Sequence, residues 1–165
     1  MKTLVTGATG FIGSAVVRKL LARGRDVKCL VEPGAALENL DGLEVERITA
    51  DINDRDAIGR ALDGVCVVYH LAAIYKLWLP DNSLMYQVNV EGSKTVLFAA
   101  LAAGIERVIY TSSIAAVGRP DQGEMADEST DFNLWDVSNH YVRSKWLSER
   151  DALRFAAEGL PVVVV

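Results

Sequence analysis

The sequence has no long apolar run and no excess of basic residues, and it contains only two cysteines. A bilayer span needs roughly 18 consecutive apolar residues, and no run approaches that length. The start of the chain, from Met1 to Val5, has the pattern of a strand and not of a secretory signal. We therefore expect no membrane span, and the cytoplasm is the expected compartment.

Patterns for nucleic-acid, metal and hydrolase sites are also missing. The 165 residues carry a net charge of -5, with 24% charged and 50% apolar residues, a globular profile without the basic patch of a nucleic-acid binder. Cys29 and Cys66 lie in apolar runs, where reduced core thiols are expected. Neither they nor His70 and His140 have ligand spacing, and no G-x-S-x-G elbow is present. We predict no metal site and a small molecule as partner.

Strand-like and helix-like segments alternate along the chain. The predicted strands cover residues 3–6, 26–31, 44–49, 65–71, 107–112 and 162–165, and the predicted helices cover 10–23, 55–62, 85–103 and 138–158. Continuous apolar strands suit a parallel sheet covered on both faces by helices. The order therefore predicts one doubly wound α/β domain over residues 1–165.

The first motif is TGATGFIG at residues 6–13, where the first strand turns into the first helix. Gly7 permits a tight turn, Gly10 lets the backbone approach a pyrophosphate, and Gly13 lets helix and strand pack closely. The helix N-terminus offers free N–H groups to phosphates. A merely structural turn is the alternative. The position between strand and helix favours a dinucleotide-binding Rossmann domain.

Glu32 stands about 20 residues past the last glycine, where an acid meets a ribose 2′-hydroxyl or a cation meets a 2′-phosphate. A carboxylate accepts from the hydroxyl and repels the phosphate, and Lys28 is too early in the strand to compensate. NAD is therefore favoured over NADP, with a solvated surface acid as the alternative. Asp51, after the third strand, is placed to meet the adenine amino group.

The second motif is YVRSK, with Tyr141 and Lys145 four residues apart on the last predicted helix. This spacing puts both side chains on one face. A nearby ammonium favours the phenolate, as a general acid/base requires. The pair is common by chance, and it gains weight from the glycine motif and from Ser112 and Ser113 at the end of the preceding strand.

Together with YHLAA at 69–73, VNVEG around Asn89 and YTSS at 110–113, these motifs resemble the extended short-chain dehydrogenase/reductases, the NAD-dependent epimerase/dehydratase family. Dihydroflavonol-reductase-like proteins and hopanoid-associated sugar epimerases are the most similar in pattern. The resemblance covers essentially the whole chain. It implies an NAD(P)-dependent oxidoreductase or epimerase that acts by hydride transfer on a sugar-like or other hydroxyl or ketone substrate.

The resemblance also implies residue roles. Ser113, with Ser112 as second choice, positions the substrate carbonyl, Tyr141 transfers the proton, and Lys145 holds the ribose and tunes Tyr141. Asn89 braces the central helix, and a homodimer through the two long helices is expected. The predicted cofactor-binding residues are Gly7, Thr9, Gly10, Phe11, Ile12, Gly13, Glu32, Asp51, Ile52, Leu71, Ala72, Ala73, Tyr141 and Lys145.

The sequence departs from the family in two respects. Many such reductases carry Arg where Glu32 stands, so an NADPH preference does not transfer. Family members continue into a smaller C-terminal region that closes over the substrate, whereas this chain stops after Val162–Val165, which has the pattern of a buried strand. We expect that region to be missing, and the chain to bind cofactor with little turnover.

The sequence leaves alternative interpretations open for the function and for several residues. A non-catalytic dinucleotide-sensing or interaction module is the alternative function, although it needs no activated phenol. Tyr75 and Trp78 either shape a substrate cleft or pack, and packing is expected for Trp146. The acidic stretch at residues 124–131 lacks the calcium-loop pattern and is expected to be a solvated loop.

Overall fold

Six parallel strands form one sheet in the computed structural model, which describes all residues from Met1 to Val165. The sheet order is β3-β2-β1-β4-β5-β6, and the chain reverses its winding between β3 and β4. This order confirms the predicted doubly wound α/β sheet. The strands are β1 (Lys2–Thr6), β2 (Asp26–Val31), β3 (Glu46–Thr49), β4 (Val65–His70), β5 (Arg107–Tyr110) and β6 (Val162–Val164).

Helices cover both faces of the sheet, and polar side chains define where two of them begin. Asp54 accepts a hydrogen bond from Ala57 N at 2.9 Å to start α2, and Asn139 accepts from Val142 N at 2.9 Å to start α5. No helix combines the length and apolarity needed to cross a membrane. The helices are α1 (Phe11–Ala22), α2 (Arg55–Ala61), α3 (Ser83–Tyr86), α4 (Ser93–Ala102) and α5 (His140–Ala157), with 3₁₀ turns at Glu38–Leu40 and Ile114–Ala116.

The central helix differs from the single regular helix predicted over residues 85–103. A π-helical turn at Gln87–Gly92 separates α3 from α4. A wider turn shifts the buried face along the helix, and here it brings Asn89 inside, with 1% of its surface exposed. A Cβ on Gly92 would lie 2.6 Å from Ile52 Cγ2, so this glycine lets the turn approach the end of β3. Hydrophobic periodicity does not reveal such a turn.

The core has two parts, one on each face of the sheet. Nineteen buried residues pack α2, α4 and α5 on one face, and eight pack α1 on the other. Strand alternation assigns Leu4 to the first cluster and Val5 to the second. β6 forms one edge of the sheet, where Val163 is 45% exposed. It pairs only with β5.

A buried polar network closes the carboxyl ends of β1 and β4. Thr6 Oγ1 accepts from the backbone N–H groups of residues 71–72 at 3.2 Å and lies 2.8 Å from His70 Nδ1. Ser93 Oγ donates to the Asn89 carbonyl and lies 2.9 Å from His70 Nε2. The hydroxyl directions assign the ring proton to Nε2 and make Nδ1 an acceptor. Complete burial, reinforced by the Lys145 charge, lowers the pKa of His70 to about 3.

We expect acid to destabilise this chain through His70. The unfolded chain takes up a proton near the ordinary pKa of 6.5, whereas the folded chain resists protonation down to about pH 3. The free energy of unfolding therefore falls as the pH drops through this window, by up to about 1.4 kcal/mol for each pH unit. Urea denaturation between pH 8 and pH 4 measures the slope.

His70→Gln removes the titrating ring and should give a shallower slope below pH 6.5. The interval from pH 7.5 to pH 8, where His70 is at least about nine-tenths neutral even in the unfolded chain, serves as the internal control. Equal slopes for the two chains below pH 6.5 would show that His70 does not carry the acid sensitivity.

Candidate active site

The glycine-rich turn between β1 and α1 is shaped by close backbone contacts. Gly7 has a φ of +66°, and a Cβ there would lie 2.8 Å from Ala72 N. A Cβ on Gly13 would lie 2.0 Å from the Gly7 carbonyl oxygen. Neither position can carry a side chain without moving the backbone. Gly10 differs, because its φ is -73° and a Cβ would meet only the Gly7 oxygen, at 3.3 Å. The turn itself therefore does not require glycine at this position.

The N-terminus of α1 is available to an anion. No side chain caps this helix, and no acidic residue lies in its first turn. The N–H groups of a first turn have no acceptor within the helix, and they carry the positive end of its dipole. Phe11 and Ile12 at this end are 91% and 61% exposed. These features suit a phosphate group.

A cavity of about 610 Å³ opens beside the turn, at the carboxyl ends of the strands. This edge of a doubly wound sheet is where ligands bind. Tyr141 and Lys145 are absent from the lining, and every other predicted cofactor-binding residue belongs to it: Gly7, Thr9, Gly10, Phe11, Ile12, Gly13, Glu32, Asp51, Ile52, Leu71, Ala72 and Ala73.

Several lining residues were missed by sequence reasoning. Tyr75, which was weighed as a cleft residue, lines the cavity, whereas Trp78 does not and is 74% exposed. Position directly after a strand was an available signal for Thr111. No motif signals the residues contributed by the central helix. The missed residues are Leu30, Ala50, Asn53, Ile74, Leu84, Gln87, Val88 and Thr111.

The rim of the cavity carries two exposed acids, Glu32 after β2 and Asp51 after β3. Lys28 does not compensate for Glu32, because its side chain is buried and its Nζ donates to the Asp63 carbonyl at 2.8 Å. Asp51 Oδ1 accepts from Asn53 N at 2.8 Å and from Asn53 Nδ2 at 3.1 Å. The rim on this side is therefore negative.

A side-chain hydrogen bond joins the β2–β3 connection to the glycine-rich turn. Asn39, in the 3₁₀ turn, donates through Nδ2 to the Thr9 carbonyl at 2.8 Å. The connection that follows Glu32 is thus fixed relative to the cavity. Neither contact partner had a signal in the sequence that linked it to the other.

Lys145 brings a buried cation to the end of β5. It is 5% exposed, its Nζ donates to the Thr111 carbonyl at 2.8 Å, and it lies 5.2 Å from the centroid of the Tyr110 ring. Burial lowers the pKa of Lys145 to about 8, against the opposing effect of the Glu149 charge. A cation held in this way has donors left for a ligand.

Tyr141 lies in the first turn of α5, one turn before Lys145. Its ring packs edge to face on Tyr75, with ring centroids 4.9 Å apart. Asn89 fixes the Tyr75 loop, because its amide accepts from Ile74 N at 2.7 Å and donates to the Ile74 carbonyl at 3.1 Å. The same amide donates to Ser144 Oγ at 2.9 Å. One buried amide therefore ties the Tyr75 loop to the turn of α5 that carries Tyr141.

The two serines after β5 have different environments. The Ser112 hydroxyl donates a hydrogen bond to the Glu149 carboxylate. Ser113 Oγ accepts from Ala115 N at 3.1 Å and caps the 3₁₀ turn on which α5 packs. The Ser113 hydroxyl keeps its proton uncommitted, whereas the Ser112 hydroxyl is engaged. The roles of Ser113, Tyr141 and Lys145 stay predictions.

The long irregular segment before α5 is held by aromatic packing. Trp146 packs on Trp135 and Phe132, with ring centroids 4.9 and 5.5 Å away, which confirms the packing role expected for Trp146. A Cβ on Gly118 would lie 1.8 Å from the Asp131 carbonyl oxygen, so the two ends of the acidic loop meet there. Residues 121–129 are exposed.

No group of three or more His, Cys, Asp and Glu side chains is arranged to hold a metal ion.

Curated proteins include relatives that align over nearly the whole chain. A protein from Synechocystis sp. named as a dihydroflavonol 4-reductase is 39% identical over 98% of this chain and 47% of its own length. Sterol demethylase protein B from Methylococcus capsulatus is 41% identical over 100% of this chain and 50% of its own length. The chain thus spans about half the length of these relatives.

A solved structure has the same architecture. UDP-glucose 4-epimerase from Thermus thermophilus, crystallised in complex with NAD, superposes with a TM-score of 0.86 at 29% identity, over 99% of this chain and 54% of that chain. The profile of the 3-beta hydroxysteroid dehydrogenase/isomerase family matches residues 4–159. These findings confirm the resemblance to the extended dehydrogenase/reductases, and the chain belongs to the 3-beta hydroxysteroid dehydrogenase/isomerase family.

Proposed function

We propose that the chain binds NAD in the cavity beside the glycine-rich turn and serves hydride transfer on a hydroxyl or ketone substrate. The observation that carries this proposal is the cavity itself. Its lining joins the uncapped start of α1, the acid after β2 and the end of β4, with Lys145 buried next to it at the end of β5. The NAD complex of the similar epimerase supports the choice of cofactor.

The residues present fit a dinucleotide at each of its polar parts. The free N–H groups at the start of α1 would hold the pyrophosphate, and the space above Gly10 admits it. Glu32 would accept from a ribose hydroxyl, and Asp51 would meet the adenine. The donors of Lys145 not used by Thr111 would hold the second ribose.

When bound, NAD supplies a nicotinamide ring that accepts or donates a hydride. The chain supplies the proton chemistry. Tyr141 would exchange a proton with the substrate oxygen through its hydroxyl, which makes no hydrogen bond within the chain. Lys145 lies one helix turn after Tyr141 on α5. Ser113 would donate its uncommitted proton to the same substrate oxygen.

The substrate class that these residues support is a sugar-like or other secondary alcohol or its ketone. Reduction, oxidation and epimerisation use the same proton exchange, because each passes a hydride and a proton across one carbon–oxygen bond. A reductase and an epimerase both occur among the similar proteins. Because the chain spans about half the length of its relatives, this activity is proposed for the whole protein.

Calorimetric titration with NADH and, separately, NADPH tests the acid after β2. We expect NADH to bind more tightly than NADPH, and Glu32→Arg to reverse the order, since it replaces an acceptor for the ribose with a cation for the phosphate. A charge-assisted hydrogen bond is worth about 1.5 kcal/mol or more, so each affinity should change about tenfold.

Glu106→Arg is the matched control, because Glu106 is exposed and lies at the opposite end of β5. It should leave both affinities unchanged. An unchanged preference in Glu32→Arg would remove Glu32 from the site, and no binding of either nucleotide by the parent chain would contradict the proposed function.

Gly10→Ala tests the open space above the turn. Its φ of -73° accepts alanine, and the new methyl group would contact only the Gly7 oxygen, at 3.3 Å. The methyl group would then occupy space that a pyrophosphate needs. We expect the melting temperature to stay within about 3 °C while NADH affinity falls roughly tenfold. Unchanged affinity in a folded variant would place the pyrophosphate elsewhere.

Tyr141→Phe separates chemistry from binding. Phenylalanine keeps the edge-to-face contact with Tyr75 and removes only the hydroxyl. In the whole protein, we expect single-turnover oxidation of NADH with a panel of ketones to slow by at least about 100-fold, with NADH affinity within about threefold of the parent. Tyr69→Phe is the control, because Tyr69 is a β4 residue that does not line the cavity. Equal rates for Tyr141→Phe and the parent would favour a nucleotide-binding module over an enzyme.

A further inference from the structure

The Lys145 ammonium is a buried cation with few oxygen partners. It is 5% exposed, and within the chain its three N–H donors find one oxygen, the Thr111 carbonyl at 2.8 Å. The Tyr110 ring face at 5.2 Å adds a weaker attraction. A buried cation that lacks compensation tends to lose its proton. Something else must help to keep Lys145 charged.

Of the titratable groups that surround Lys145, only Glu149 supplies a negative charge. His70, on β4, is neutral because burial lowers its pKa to about 3. Tyr110, on β5, is neutral because burial raises its pKa to about 12, and its hydroxyl donates to Ser148. Among the charges that act on Lys145, Glu149 opposes the effect of burial.

The geometry fixes Glu149 in place. It lies four residues after Lys145 on α5, so the two side chains share a helix face one turn apart. It is partly buried, and its carboxylate accepts a hydrogen bond from the hydroxyl of Ser112 at the end of β5. The carboxylate therefore bridges α5 and β5 at the point where the Lys145 side chain crosses between them to reach Thr111.

We propose that Glu149 is a positioning residue with two effects on the site: it keeps the buried Lys145 in its charged form, and it holds the Ser112 hydroxyl away from the substrate. Ser113 is then the one serine of the pair whose proton is available to a substrate oxygen. The first effect stands on the structure alone, and its value for catalysis rests on the proposed function.

The test is the pKa of Lys145, measured by NMR titration of the whole chain carrying 13C at the lysine Cε atoms, with the Lys145 signal identified by its loss in Lys145→Met. The parent chain should titrate near pH 8. Glu149→Gln removes the negative charge one helix turn from Lys145, which should lower the pKa of Lys145 by about one unit. Glu158→Gln, on the exposed end of the same helix, should leave it within about 0.2 units.

A Lys145 pKa that is equal in Glu149→Gln and the parent would overturn the proposal. A second measurement decides it even if Glu149→Gln is too unstable to titrate. The Glu149→Gln change should lower the urea midpoint less in a Lys145→Met background than in the parent, because the charge that it serves is already gone. Equal losses in the two backgrounds would mean that Glu149 acts only as packing, which also overturns the proposal.

NADH binding separates this proposal from the function on which it rests. In Glu149→Gln, NADH affinity should fall at pH 8 and return toward the parent value at pH 6.5, where Lys145 regains its proton. A structural defect would lower the affinity equally at both pH values and would contradict the proposal. If the parent chain binds no NADH, the proposed function fails, while the NMR titration still decides the role of Glu149.

Discussion

The direct contact of the glycine-rich turn with its neighbours is the constraint on which the rest of the site depends. With no side chain at Gly13, α1 starts against the carbonyl of Gly7, and with none at Gly7 the turn lies on the backbone of residues 71–72. The N–H groups of α1 and the end of β4 therefore meet at one cavity. The hydroxyl of Thr6 then bonds these same two residues and His70. The turn and the strand end form one rigid unit.

This rigidity comes from buried polar groups, and burial determines their charge. His70 stays neutral, and its two ring nitrogens are both used, so it connects β1 with α4 as a fixed hydrogen-bonding unit. Lys145 lies near enough to lower the pKa of His70 further. A neutral imidazole beside a buried ammonium costs less than two buried cations would. Burial keeps His70 neutral and also disfavours the charge on Lys145. The effect of burial on Lys145 must therefore be offset by an opposite charge if Lys145 is to stay protonated.

The parts of the site that recurrent motifs encode were predicted from the sequence. The glycine turn, Glu32, Asp51 and residues 71–73 follow strand ends, and a doubly wound sheet gathers strand ends at one edge. The contacts that depend on side-chain packing were not predicted. The π-helical turn that buries Asn89 replaces a regular helix without changing the apolar pattern.

The bond between Ser112 and Glu149 joins residues 37 positions apart, and no local pattern connects them. Their pairing nevertheless decides between two adjacent serines, which the sequence alone left as a first and a second choice.

The two ends of the cavity are built from different kinds of structure. This difference explains why the residues indicate a cofactor more specifically than they indicate a substrate. The cofactor end consists of strand ends held by backbone contacts, so its shape follows from the sheet. The end that we propose for the substrate is lined by Tyr75, whose loop is attached through the amide of Asn89. Leu77 and Trp78 are 71% and 74% exposed there. Loops attached at so few points can vary while the sheet stays constant, so relatives that share this fold can act on different substrates.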